Sequence, residues 1–169
     1  MARVTLYSLS DYNQGILISH GFDMDDYDNQ QEYFKVVADW LEDLDNKLGG
    51  VEREGWIIAD HQGILNYFID DYDLNSDYWV YKDIVDNTEV PEKAVEVWFN
   101  YGYPLNKESI VDNYLGEYSD DEEFVCDILV DRDKVEENLP YYIQIDWKAT
   151  ACNFMQDYFT GNNHYFRIC

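Results

Sequence analysis

With 36 Asp and Glu against 11 Lys and Arg, the chain carries a formal charge of −25 over 169 residues, so its fold must spread carboxylates apart while burying a core. Self-repulsion on this scale costs the compact state stability and steers association toward cations or basic surfaces. A disordered acidic chain would be poor in apolar residues, whereas 46% of this one is hydrophobic and 17% aromatic, which is enough to build a core. The acids fall in three zones, and residues 11–45, 60–96 and 108–137 hold 32 of the 36. Within each zone they alternate with aromatic and aliphatic residues, the pattern of a folded surface and not of a solvated tail. Length allows one ordinary domain or two or three small ones. No 18-residue apolar run or charged-then-apolar N-terminus marks a membrane span or signal peptide, so a cytosolic protein is expected.

The pattern along the chain predicts an α+β fold. Val4–Leu9, the turn Asp11–Gly15 and Ile16–Phe22 read as a hairpin. From Asn29 to Leu48 the residues Tyr33, Val37, Trp40, Leu41, Leu44 and Leu48 recur at helical spacing, Gly49-Gly50 stops the helix, and Asp39, Glu42 and Asp43 share its wet face. Trp56–Ala59 returns as a third strand, so a three-stranded antiparallel sheet and a helix make a small α/β unit, and that unit ends near Gly63. The middle is helical, with Ser76–Asp86 and Pro91–Tyr101 as helices; Pro91 starts the second, Ala94, Val95 and Trp98 form its inner face, and Glu89, Glu92 and Glu96 line another. A third helix, Asn106–Leu115, points Ile110, Val111, Tyr114 and Leu115 inward and Glu108 and Asp112 outward. Ser119-Asp120-Asp121-Glu122 reads as a capping box at the start of a helix that buries Phe124, Val125, Ile128 and Leu129 and leaves Asp120, Asp121, Glu123 and Asp127 wet. A helix from Pro140 to about Met155 would bury Ile143, Trp147, Ala151 and Phe154. A closing hairpin, Tyr158–Thr160 and His164–Ile168, turns at Gly161-Asn162-Asn163.

Catalytic and metal signals are weak. Asp71-x-Asp73-x-Asn75-x-Asp77 alternates oxygen ligands like a calcium loop, but Ser76 and Lys82 stand where an EF-hand needs Gly and a bidentate Glu. Asp131-x-Asp133 is flanked by Arg132 and Lys134. The three histidines, His20, His61 and His164, have neither metal-ligand spacing nor a nucleophile motif nearby. Cys126, Cys152 and Cys169 form no C-x-x-C pair and read as reduced thiols. No cofactor, no metal and no enzymatic activity are expected. With no phosphate-cradling glycine loop and only scattered bases, direct nucleic-acid binding is not expected either. Tyr27, Tyr72 and Tyr118, each beside an acid, are candidates for a protein-binding face.

Two explanations of the acids stay open on composition alone: solvation, and an anionic array that competes with nucleic-acid phosphates for a basic groove. Carboxylates at i and i+4 lie ~6 Å apart along a helix, whereas each DNA strand has a phosphate every ~3.4 Å, so one helix edge cannot copy a strand and several acidic faces must combine. The candidate phosphate-mimicking carboxylates are Asp25, Asp26, Asp28, Glu32, Asp39, Glu42 and Asp43 in the first zone. In the second they are Asp70, Asp71, Asp73, Asp77, Asp83, Asp86, Glu89, Glu92 and Glu96. In the third they are Glu108, Asp112, Glu117, Asp120, Asp121, Glu122, Glu123 and Asp127.

Four blocks carry a family resemblance: Tyr7-Ser8-Leu9-Ser10-Asp11-Tyr12-Asn13-Gln14-Gly15-Ile16-Leu17, Trp56-Ile57-Ile58-Ala59-Asp60-His61, Tyr114-Leu115-Gly116-Glu117-Tyr118 and Leu139-Pro140-Tyr141-Tyr142-Ile143-Gln144-Ile145-Asp146-Trp147. In order and spacing they resemble the ArdA antirestriction family. Asp157–Thr160 and His164–Arg167 are similar to its closing segment, while residues 70–90 match it poorly. The resemblance implies an elongated, curved chain of three small domains, here 1–63 (α/β), 64–105 (helical) and 106–169 (α+β), that dimerises through the last. It also implies a DNA mimic that occupies the DNA-binding groove of the methyltransferase core of type I restriction–modification enzymes in a bacterial host cell, protecting plasmid, transposon or phage DNA. The antirestriction motif near the dimer contact would be Glu137, Asn138, Leu139, Pro140, Tyr141, Tyr142, Ile143, Gln144, Ile145, Asp146 and Trp147. The competing expectation is an acidic module for a basic host protein not connected with DNA.

Overall fold

Val4 and Leu6, two residues apart and fully buried, make Arg3–Ser8 (β1) a strand with one face in the core. In this computed structural model, which describes residues 2–50, 52–70, 72–131, 139–140 and 143–168, β1 is the central strand of an antiparallel sheet. Ser19–Asp23 (β2) flanks it on one side and Trp56–Gln62 (β3) on the other, with Val4 opposite Phe22 and Leu6 opposite Ile58. The predicted hairpin is present, but its connection is longer than the sequence pattern implied. Ser8 caps a helical turn, Leu9–Tyr12 (α1), and the Ile16 amide donates back to the Asp11 carbonyl, so Ile16 and Leu17 stay outside the sheet and exposed.

Gln30–Leu48 (α2) is the helix the periodicity predicts. Asn29 Oδ1 accepts from the Glu32 amide at 3.0 Å, Glu32 Oε2 accepts from the Asp28 amide at 3.1 Å, and Gly49 at φ +63° ends the helix. Tyr33, Val37 and Leu41 form its buried stripe; Leu48, in the last turn, lies beyond that stripe and is exposed. Phe22 meets Tyr33 edge to face at 5.9 Å, joining α2 to the sheet. A 3-10 turn, Asn66–Phe68, and a bridge between Ile69 and Leu74 lead into Ser76–Asn87 (α3).

Glu92–Asn100 (α4) buries Ala94, Val95, Val97 and Trp98, with Pro91 one residue ahead of it at φ −60° and not inside it. Lys107–Asn113 (α5) is shorter than predicted. Tyr114–Glu117 is a strand (β4), because Gly116 at φ +128° cannot continue a helix and the segment pairs with β6, His164–Arg167. Val111 is consequently exposed and not inward. Asp121–Asp131 (α6) buries Phe124, Val125 and Ile128 as expected. Its cap is displaced by one residue from the predicted box: Asp120 Oδ1 accepts from the Glu123 amide at 2.9 Å, and Glu123 Oε2 accepts from the Ser119 amide and hydroxyl, each at 2.7 Å. The helix expected from Pro140 begins only at Trp147 (α7, Trp147–Phe154), where Asp146 Oδ1 accepts from the Ala149 amide; Ile143 therefore lies outside it, exposed. Tyr158–Gly161 (β5) and β6 close the chain through Asn162 and Asn163, both left-handed at φ 49° and 68°, giving the sheet order β4-β6-β5. Phe159 and Phe166 meet Trp98 on one face of this sheet, and Tyr165 stacks on Phe124 on the other.

The architecture is thus α+β as predicted, and its contacts cluster into two units, Met1–Asp83 and Ile84–Cys169, divided within α3. Among the described residues no helix is long and apolar enough to cross a membrane.

Candidate acidic docking surface

Helical periodicity that buries one stripe necessarily exposes the other, and this places most of the predicted carboxylates. On α2 the buried stripe leaves Glu32, Asp39, Glu42 and Asp43 exposed. From Glu32 to Asp43 the helix rises roughly 16 Å, a length over which one DNA strand sets about five phosphates against these four carboxylates. Asp25, Asp26 and Asp28 extend the exposed acids ahead of the helix. In the second zone Asp70, Asp83, Asp86, Glu89 and Glu92 are exposed; Glu89 sits in the α3–α4 connection and not on α4. In the third, Glu108, Asp112, Glu117, Asp120, Asp121, Glu122, Glu123 and Asp127 are all exposed.

Three predicted carboxylates are half-buried: Asp73, Asp77 and Glu96. Burial pushes Asp73 up to about 6, the largest departure among these acids, partly offset by a 2.7 Å bond from the Leu74 amide and by Trp56 and Tyr33 facing it. The Tyr33 hydroxyl, itself buried and pushed up mainly by its own desolvation, faces Asp73 without completing a hydrogen bond of good geometry. Asp77 accepts from the Tyr67 hydroxyl at 3.0 Å and Asn75 Oδ1 from the Asp77 amide at 3.1 Å. Asp73, Asn75 and Asp77 of the calcium-like pattern thus have internal partners, and no group of three metal-ligating side chains occurs among the described residues. Glu96 is raised, first by burial and then by the neighbouring Glu92. Glu123 is lowered by the two Ser119 bonds.

Two acids of the first zone face inward. Asp11 is buried against Arg53, with Nε to Oδ2 at 2.7 Å and Nη2 to Oδ1 at 2.9 Å, while Nη1 reaches Asp45 at 2.8 Å. The guanidinium holds the Asp11 carboxyl below its ordinary value. Exposed acids outside the predicted array are Glu52, Glu54, Asp60, Asp146 and Asp157; simple alternation would place Asp60 on the face of Ile58, and it turns outward because the register shifts between Ile58, opposite Leu6, and Asp60, opposite Thr5. Of the three candidate tyrosines, only Tyr72 is well exposed: Tyr27 is buried against the Tyr33 ring, and the Tyr118 hydroxyl is bonded to Asp127 at 3.0 Å.

In the motif region, Leu139, Ile145 and Trp147 are half-buried, and Pro140, Ile143, Gln144 and Asp146 are exposed. Asp71, Glu137, Asn138, Tyr141, Tyr142, Asp133 and Cys169 lie outside the described residues.

No curated relative matches the chain. The family model described as antirestriction protein (ArdA) matches residues 6–167, nearly the whole sequence and all four blocks that carried the resemblance. The chain belongs to the ArdA antirestriction family, non-enzymatic inhibitors of restriction enzymes.

Proposed function

We propose that the exposed carboxylates act together as a decoy for duplex DNA, occupying the DNA-binding groove in the methyltransferase core of a type I restriction–modification enzyme. The observation that carries this reading is the exposure of predicted acids from Asp25 to Asp127 on both units, against so few bases. A groove built for duplex carries Lys and Arg aimed at phosphates, and a fixed anionic surface competes for them without reading any base sequence. Caps such as Asp120–Glu123 hold some of these side chains in one geometry, so less freedom is lost on docking.

The same reading carries three further proposals: an elongated homodimer built from domains 1–63, 64–105 and 106–169, action in the bacterial cytoplasm, and protection of incoming mobile DNA. The test is displacement of a labelled duplex from a type I methyltransferase, followed by gel shift at low and raised salt. Displacement that weakens steeply with salt and declines stepwise as acids of each zone are changed to amides is expected. Absence of displacement at low salt rejects the reading, and dependence on a single patch favours an acidic module for another basic protein. Small-angle scattering tests the shape: a long particle of twice the monomer mass is expected.

A further inference from the structure

The sheet of the second unit carries a pocket that a general anionic surface does not require. Pro91, Lys93 and Glu96 of the α4 segment, Glu117 of β4, Asn162 of the β5–β6 turn and His164 of β6 line a cavity of about 370 Å³. Its walls are tightly held. A Cβ on Gly161 would meet Val97 Cγ1 at 3.0 Å, so the glycine lets the turn press onto α4 and brings Asn162 to the rim. His164 is only 3% exposed, and its Nδ1 lies 3.1 Å from the Tyr114 hydroxyl. The other ring nitrogen has no hydrogen-bond partner among the described residues, although the ring lines the cavity. The cavity thus presents an imidazole edge, two carboxylates and an amide along its walls.

We propose that this pocket receives a guanidinium group, the side chain of an arginine presented by the basic partner, so that Glu96, Glu117, Asn162 and His164 form an anchor within the docking surface. The proposal rests on the docking reading for the identity of the partner, but not for the chemistry of the pocket. Two carboxylates disfavour an anion despite Lys93, and the carboxylates and histidine form no three-ligand cluster for a metal. A guanidinium is planar, carries five donors in a fixed fork and is weakly hydrated, so it can span both carboxylates in a half-buried site better than an ammonium can. It also adds to Lys93 in favouring charged Glu96, against which burial and Glu92 work. Interface energy concentrates in such pockets, and Arg is among the residues that fill them.

The test uses the full chain and N-acetyl-L-arginine amide as probe, with N-acetyl-L-lysine amide and N-acetyl-L-norleucine amide as comparators, following the ring resonances of the three histidines by NMR. A saturable shift at His164, with His20 and His61 unmoved, and an affinity loss of about fivefold or more in Glu96→Gln/Glu117→Gln support the proposal. No shift at His164, an equal response to the lysine amide, or an unchanged affinity in the variant overturns it. In duplex displacement, the same variant should lose more inhibition than Asp39→Asn/Glu42→Gln, which removes equal charge; equal losses overturn the anchor while leaving the docking reading intact. Failure of the wild-type protein to displace duplex rejects the docking reading alone, since the arginine titration still decides the pocket. A changed sedimentation mass in Glu96→Gln/Glu117→Gln would assign the pocket to a second copy of the chain and overturn the proposal.

Discussion

In unit 1, Asp11 and Asp45 converge on Arg53 in a buried cluster, whereas in unit 2 Asp120, Asp121, Glu123 and Asp127 are bonded to backbone amides or to Ser and Tyr hydroxyls and stay exposed. The first arrangement removes negative charge from the surface and spends it on joining α1 to the segment that follows α2. The second keeps the charge facing water and spends the hydrogen bonds on orienting it. An overcharged chain can thus use its acids as internal fasteners or as a prepared outer face. Aromatic rings pack both cores, but among the described residues only unit 1 buries an acid with a base; in unit 2 Trp98 meets Phe159, Phe166 and Tyr103 at 5.9, 5.5 and 4.8 Å and donates through Nε1 to the Pro104 carbonyl at 2.9 Å.

That contrast breaks most visibly at Trp98. Trp98→Ala should cost about 3–5 kcal/mol, because it opens a large void under the second sheet and leaves the Pro104 carbonyl without its donor. Urea unfolding at fixed pH and salt measures it, and a loss below about 1.5 kcal/mol would show that the aromatic cluster collapses around the gap and is not the main support of unit 2.

The next effect is one of pH, and within unit 1 it runs in opposite directions at two carboxylates. Asp11, lowered by Arg53, contributes stability above its unfolded value of 3.8 that is lost as pH falls through its folded value. Asp73, raised to about 6, is penalised when charged, so its folded state gains stability as pH falls through 6 toward the unfolded 3.8. Asp73→Asn should therefore melt at a higher temperature than wild type at about pH 7.5, with the gap closing by about pH 4. In Arg53→Met the destabilisation should shrink at the acid end, as the Asp11 left without its guanidinium becomes protonated. Melting curves across pH that run parallel for wild type and Asp73→Asn would remove Asp73 from the account.

What the sequence revealed follows from range. Helix α2 was readable because Asn29, the stripe at Tyr33, Val37 and Leu41, and Gly49 are all local signals, and the exposure of Asp39, Glu42 and Asp43 follows from the same stripe. Strand β4 was not, since Tyr114-Leu115-Gly116-Glu117 is too short to display alternation and becomes a strand only through β6. The capture of Asp11 by Arg53 spans 42 residues, and the burial of Asp73 depends on Tyr33 and Trp56, so no local pattern separates these acids from the exposed ones. The pocket at His164 escaped for the same reason, its walls coming from α4, β4 and β6. Pro140 suggests a helix start, but the cap is Asp146, whose side chain accepts from the Ala149 amide at the start of Trp147–Phe154.

The smallest expected effect sharpens the comparison most finely, because it sets the same device side by side in the two units. Asn29 caps α2 and Asp120 caps α6, each accepting from an amide three residues on, and in each helix a glutamate reaches back, Glu32 to Asp28 and Glu123 to Ser119. Loss of either cap to Ala should cost about 1 kcal/mol. The charged cap has a second role: Asp120 adds a negative charge at the positive end of the helix dipole, and exposed charge at a helix end is screened by salt. Asp120→Ala should thus cost more than Asn29→Ala at low ionic strength, and the excess should fade as salt is raised, while the Asn29→Ala loss stays flat. Because Asp120 also crowds Asp121, Glu122 and Glu123, an excess of the opposite sign would mean that repulsion among these neighbours outweighs the dipole, and that unit 2 holds its acidic face against an electrostatic cost greater than the cap returns.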